Sequence, residues 1–230
     1  MINKTKNGFT IAEVLITLVI IGVVAALTIS ALITKYQKEQ TVTRLKKAYS
    51  SVVQSTVRAV AEHGNIEMWE VGTGENADAA VAFFNRYMAP YLSLSEKAQK
   101  LSSTSWNKIK YGLNNVQSEY DNSYMRAYLA DGSSITMRIY SSSASDKRVQ
   151  FYIDINGDNK PNKLGRDIFI FWFFVKFRDY TGQIQPAGCM YSRNEILSNS
   201  SDNCNKNQNG GRCGALIMQD GWQIKNDYPW

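Results

Sequence analysis

The chain has 230 residues, 44% hydrophobic and 20% charged, with a net charge of +6. Such a composition excludes wholesale disorder, and a basic excess this small and scattered is not the footprint of a nucleic-acid binder. One histidine, His63, and three cysteines without a C-x-x-C pair argue against a zinc centre.

The first element in chain order is the apolar stretch Gly8 to Ile33, GFTIAEVLITLVIIGVVAALTISALI, uncharged from Val14 to Leu27. As a helix, Ile11 to Ile33 spans roughly 34 Å, enough to cross a hydrocarbon core of about 30 Å. Glu13 stands near its start. A carboxylate there costs about 2.5–3.5 kcal/mol on insertion scales, so it marks a functional site and calls for an opposite charge. Lys4 and Lys6 precede the run with no acid beside them, which predicts a cytoplasmic N-terminus and a head on the far side. The run is too long for an ordinary secretory signal, and helical pattern continues beyond it.

Residues 34–63 extend the helix as an amphipathic stem. Its stripe is Val42, Leu45, Tyr49, Val52, Val53, Thr56, Val57 and Val60, and Gly64 is the natural stop. The cluster Arg44-Leu45-Lys46-Lys47 has three destinations open to it: lipid headgroups, acids of a neighbouring subunit, or water. A short helix is predicted over 77–89, capped by Asn76 and ended by Pro90. Residues 93–123 read as a long loop with at most one short strand or turn. Asp131-Gly132 sits between two alternating runs and predicts a hairpin. Residues 149–155 and 167–177 are further strands, and Thr181-Gly182 turns into GQIQP. Four antiparallel strands after a long helix make an α+β roll. The tail, with Ala215 to Met218, Trp222, Tyr228 and Trp230, is expected to pack back on the sheet.

Gly8-Phe9-Thr10-Ile11-Ala12-Glu13 and the apolar run after it resemble the prepilin N-terminus shared by type IV pilins and type II secretion pseudopilins. The resemblance covers about residues 1–60 and includes a short basic leader ending in Gly, then Phe, then Glu as the fifth residue. It departs at Ser30, where many pilins carry a helix-kinking proline. It implies cleavage between Gly8 and Phe9 by a prepilin peptidase, N-methylation of Phe9, and pairing of Glu13 with the N-terminal amine of a neighbouring subunit, which sets register. The implied fold is pilin-like: leader 1–8, transmembrane half-helix 9–33, amphipathic half-helix 34–63, and an α+β head over 64–230.

The implied function is that of a non-enzymatic structural subunit of a type II secretion or type IV pilus filament. It would be single-pass in a bacterial inner membrane, with its head periplasmic or extracellular. Its partners would be the peptidase, other pilin-like subunits and an inner-membrane assembly platform, with no nucleic acid. The alternative is a minor tip pilin that acts as an adhesin or as a DNA- or ligand-binding module.

Outside the cytoplasm disulfides are permitted. Cys204 and Cys213 flank a polar loop that cannot hold itself, so a Cys204–Cys213 bridge is expected, with Cys189 as the rival partner. Asp154, Asn156 and Asp158 place oxygens at alternate positions on a Gly-containing turn, which suits calcium. No closing glutamate follows, and Asn156-Gly157 is equally a plain turn signal. Phe151-Tyr152 and Phe171-Trp172-Phe173-Phe174 read as core, against a sugar- or protein-binding face. No Walker A, G-x-S-x-G or dinucleotide fingerprint occurs.

Overall fold

A computed structural model describes residues 8–74, 76–101 and 109–230. The leader positions 1–7, with Lys4 and Lys6, lie outside the described residues, as do Glu75 and positions 102–108 of the expected loop. The chain divides into two compact units, Met1–Gln40 and Thr41–Trp230.

Helix α1 runs from Ile11 to His63, 53 residues. Within it, Ser30 does what a proline could not. Its hydroxyl donates to the Ala26 carbonyl at 2.7 Å and the helix continues unbroken. Thr17, Thr28 and Thr34 likewise bond to carbonyls three or four residues back, so the polar interruptions of the apolar run are satisfied within the helix.

In the second unit the stem buries Thr41, Leu45, Ala48, Val52, Ser55, Thr56 and Ala59. Apart from Thr56, beside Ser55, their spacing alternates four and three, one face of a helix. The expected stripe holds for Leu45, Val52 and Thr56, which are buried, and for Val42, Tyr49 and Val53, which pack against the core. It fails at Val57 and Val60, which are exposed, and it omits Ala48, Ser55 and Ala59, which are buried. Small side chains at Ala48, Ser55 and Ala59 leave room at the core for larger neighbours. Tyr49 reaches past them, its ring tilted against Phe171 at 5.3 Å and its hydroxyl donating to the Ile184 carbonyl at 3.0 Å.

The α+β expectation holds. After α2 (Ala77–Tyr87) comes a six-stranded antiparallel sheet in the order β1-β4-β5-β6-β7-β8. Its strands are β1 (Gln99–Lys100), β4 (Met125–Tyr128), β5 (Ser134–Ser143), β6 (Asp146–Asp154), β7 (Ile168–Lys176) and β8 (Gln183–Pro186). A separate hairpin joins β2 (Ile109–Tyr111) to β3 (Gln117–Glu119). Six strands therefore replace the four expected. The region read as loop holds β1, β2 and β3, which are two or three residues long and too short for an alternation to show.

Asn76 caps α2 as expected, its side chain accepting from the Asp78 amide at 2.8 Å. The helix lays Phe83, Phe84 and Tyr87 into the core, where Trp69 stacks on Tyr87 at 4.3 Å. The tail forms α3 (Cys213–Gln219), and Ala215, Leu216, Ile217 and Tyr228 join the same core.

The sheet has two differently used faces. Phe151, Ile153, Phe171 and Phe173 belong to the main core. Their neighbours Arg148, Gln150, Tyr152 and Trp172 point the other way by the period of two. The aromatic runs are thus core as expected, Tyr152 lying in a second, smaller cluster with Tyr120, Tyr124, Leu164 and Ile168 and Phe174 buried as well, with only Trp172 half-buried.

Candidate functional site

The N-terminal segment begins with Gly8 and Phe9 outside any helix, Phe9 being 90% exposed. Thr10 caps α1: its carbonyl accepts from the Val14 amide at 3.2 Å, the first bond of the helix. The Glu13 carboxylate turns back to accept from the Thr10 amide at 2.8 Å and the Thr10 hydroxyl at 2.7 Å, while the Glu13 amide donates to that hydroxyl at 3.2 Å. This is a capping box, T-x-x-E, which satisfies two donors that a helix start leaves orphaned. The sequence reading singled out Glu13 and missed Thr10, although the spacing of the two is the signature of that box.

After the cap, Ile11, Leu18, Val19, Ile21, Leu27 and Leu32 are each more than half exposed, and none of the most apolar window is buried within the protein. Apolar surface of this extent left in water costs on the order of 20 kcal/mol, at about 1.5–3 kcal/mol per large side chain. Lipid or apolar helices of other chains must cover it. By length and composition the helix can cross a membrane.

In the head, Cys204 and Cys213 are bonded, both fully buried, and Cys189 is the free thiol. Burial pushes the Cys189 thiol above its usual range. The basic cluster on the stem finds an acid within its own head, because Lys47 pairs with Asp131 of the β4–β5 turn at 3.0 Å.

Asp154, Asn156 and Asp158 lie at the end of β6 and in the turn after it. The Asp154 carboxylate accepts from the Asn156 amide at 3.2 Å. Asp158 accepts from the Tyr128 hydroxyl at 2.9 Å and faces the Arg126 guanidinium at 3.4 Å. Gly157 is at φ +64°, and a Cβ there would come within 2.7 Å of the Gly132 carbonyl, so this turn closes on the Asp131-Gly132 turn. Asp154 is buried. Loss of water, then the nearby Asp167 carboxylate, push its carboxyl up to about 8. Asp167 in turn accepts from the Asn162 and Lys163 amides at 2.8 and 2.6 Å. Among the described residues no group of three or more His, Cys, Asp or Glu converges as a metal cluster.

Comparison with known families separates the two parts of the chain. Residues 31–230 match the model described as "Family of unknown function (DUF6613)". The chain belongs to this family. Residues 3–29 match the prokaryotic N-terminal methylation motif, so the family's stem and head are here joined to a prepilin-type segment. That segment makes the chain a type IV pilin-like precursor, with an N-terminal helix suited to membrane anchoring and to assembly with other pilins. No curated protein and no solved structure matches the chain.

Proposed function

We propose that the protein is a structural subunit, a pseudopilin or pilin-like protein, of a type II secretion or type IV pilus filament. The observation that carries this reading is an apolar helix with no cover from its own chain, headed by a methylation motif and an acid at its start. Cleavage after Gly8 by a prepilin peptidase frees the amine of Phe9, which is then methylated. Glu13 offers a carboxylate to the amine of a neighbouring subunit and so sets register. Before assembly the helix rests in a bacterial inner membrane, with Lys4 and Lys6 on the cytoplasmic side and the head periplasmic. An inner-membrane platform then draws it into a bundle whose apolar core replaces lipid. On this reading leader 1–8, membrane half 9–33, stem 34–63 and head 64–230 are four successive functional segments.

Mass spectrometry of the protein from cells with and without a prepilin peptidase tests this. The expected mature chain begins at N-methylated Phe9 in the first case and is unprocessed in the second. A chain that keeps its leader in peptidase-positive cells would overturn the assignment.

A further inference from the structure

The face of the sheet turned away from the stem carries a cavity of about 520 Å³. Its floor includes Gln150, Tyr152, Trp172 and Phe174. One wall is the β2–β3 hairpin, and another is the disulfide-closed segment with the turn after β8. The walls are fastened together: the Leu113 and Asn114 amides donate to the Asn209 and Gln208 carbonyls, both at 3.0 Å. Gly188, at φ +95°, lets the Arg212 stem lie on its backbone, where a Cβ would meet Arg212 Cγ at 2.9 Å. The cavity is therefore built into the fold and needs no rearrangement to exist.

Two cations on its walls make no salt bridge among the described residues. The Lys110 ammonium sits 3.8 Å from the centroid of the Tyr120 ring, and Lys110 is only 7% exposed. The Arg212 guanidinium lies 3.9 Å from the Tyr191 ring centroid and donates to Asn203 Oδ1 at 2.6 Å, a neutral partner. Arg148, also on the lining, differs: Asp146 holds it through two bonds of 2.6 and 2.8 Å. The one carboxylate of the lining, Asp202, accepts from the Asn209 amide nitrogen at 2.6 Å. Burial lowers the Lys110 amine to about 8, against the opposing pull of the Asp121 and Glu119 carboxylates. Gln150 uses its carbonyl oxygen for Arg138, at 3.0 Å, and its amide nitrogen has no acceptor among the described residues.

We propose that this cavity binds an acidic saccharide, with the sugar ring against the aromatic face of Trp172 and its carboxylate drawn to Arg212, which Tyr191 backs, and to Lys110. The aromatic face suits the apolar side of a pyranose, and the amides of Gln150 and Asn114 suit its hydroxyls. The volume is that of a small-ligand site, one or two rings. A nucleic-acid chain would want a stripe of cations along a backbone rather than a few around one compact, half-open cavity. This inference does not rest on filament assembly, since every residue in it belongs to the head.

The test uses the full-length chain in detergent micelles, with calorimetry and saturation-transfer NMR. The probes are glucuronate and N-acetylneuraminate, with glucose, N-acetylglucosamine and inorganic phosphate as comparisons. Both acids are expected to bind, at least about tenfold more tightly than the neutral sugars. Arg212→Gln should weaken the acids about tenfold, the loss of one charge-assisted bond, and Arg212→Lys should weaken them less. Absence of binding by either acid at about 10 mM, weaker than any useful site, overturns the proposal. So does neutral-sugar binding as tight as that of the acids, or phosphate that binds as tightly as glucuronate and displaces it, which would mark a bare anion site. Unchanged affinity in a folded Arg212→Gln variant also overturns it. If that variant does not fold, the comparison of acid, neutral and phosphate probes on the unaltered chain decides alone.

Discussion

Thr10 and Glu13 close the start of the long helix on each other, amide to carboxylate and hydroxyl to amide. Glu13 thus has two separable tasks, capping its own helix and presenting a charge. Glu13→Gln keeps the cap, because glutamine also serves at this position, and removes the charge. Glu13→Ala removes both. If the charge sets register with a neighbour's amine, both variants should be cleaved after Gly8 yet fail to enter filaments. Counting each variant in sheared filament fractions checks this. Normal incorporation of Glu13→Gln would confine Glu13 to capping.

What the sequence disclosed and what it hid divide on a physical line. The apolar run, the Asn76 cap, the Asp131-Gly132 hairpin and the Cys204–Cys213 bridge each rest on local pattern, and each was legible. The small members of the stem's buried face were not, because Ala48, Ser55 and Ala59 carry no hydrophobic signal of their own. The cavity was hidden for another reason. Lys110, Trp172 and Arg212 are far apart in the chain, and they meet only because the β2–β3 hairpin is bonded to the disulfide-closed segment over the β7 surface.

The disulfide closes a segment that has little core of its own. Replacing both cysteines, Cys204→Ser with Cys213→Ser, should cost about 2–3 kcal/mol. For a unit of this size that lowers the melting temperature by roughly 5–10 °C. The effect should appear under non-reducing conditions and largely vanish when the parent is itself reduced, and Cys189→Ser should leave the melting temperature nearly unchanged. A comparable loss from Cys189→Ser would mean that the free thiol carries packing that the structure does not give it.

Calcium at Asp154, Asn156 and Asp158 is separable from plain turn chemistry by a chelator. Arg126 already supplies positive charge to Asp158, and the Asn156 amide already bonds to Asp154. We therefore expect melting curves of the full chain to coincide in EDTA and in millimolar calcium. A rise of several degrees with calcium, lost in Asp158→Asn, would assign the ion to this loop.

Asp154 makes the head sensitive to pH in a definite direction. Its folded carboxyl titrates near 8, because of burial and then Asp167, whereas the unfolded carboxyl titrates near about 4. Between those values the folded chain holds a proton that the unfolded chain has released. Stability therefore falls as pH rises through that window, by up to about 1.4 kcal/mol per unit, and this contribution is flat outside it. Asp154→Asn keeps the shape and removes the titration. The variant should match the parent near pH 4 and exceed it in denaturant midpoint near pH 8. A difference between the two that does not change with pH would remove Asp154 as its source.

The stem offers a test of how closely it lies against the sheet. Ala59 is fully buried, while Val57, two residues away, is 64% exposed. By hydrophobicity alone Val57 should matter more. By the structure the order is reversed: Ala59→Leu forces a larger side chain into a packed contact and should cost about 1–3 kcal/mol. Val57→Ala should stay within about 0.5 kcal/mol, as expected for an exposed position. Urea unfolding of both variants in the full chain checks this, with unchanged slopes required for the comparison. If Val57→Ala proved the more damaging, the helix would have to be turned by roughly half a revolution, and Tyr49 could no longer reach Phe171 and the Ile184 carbonyl.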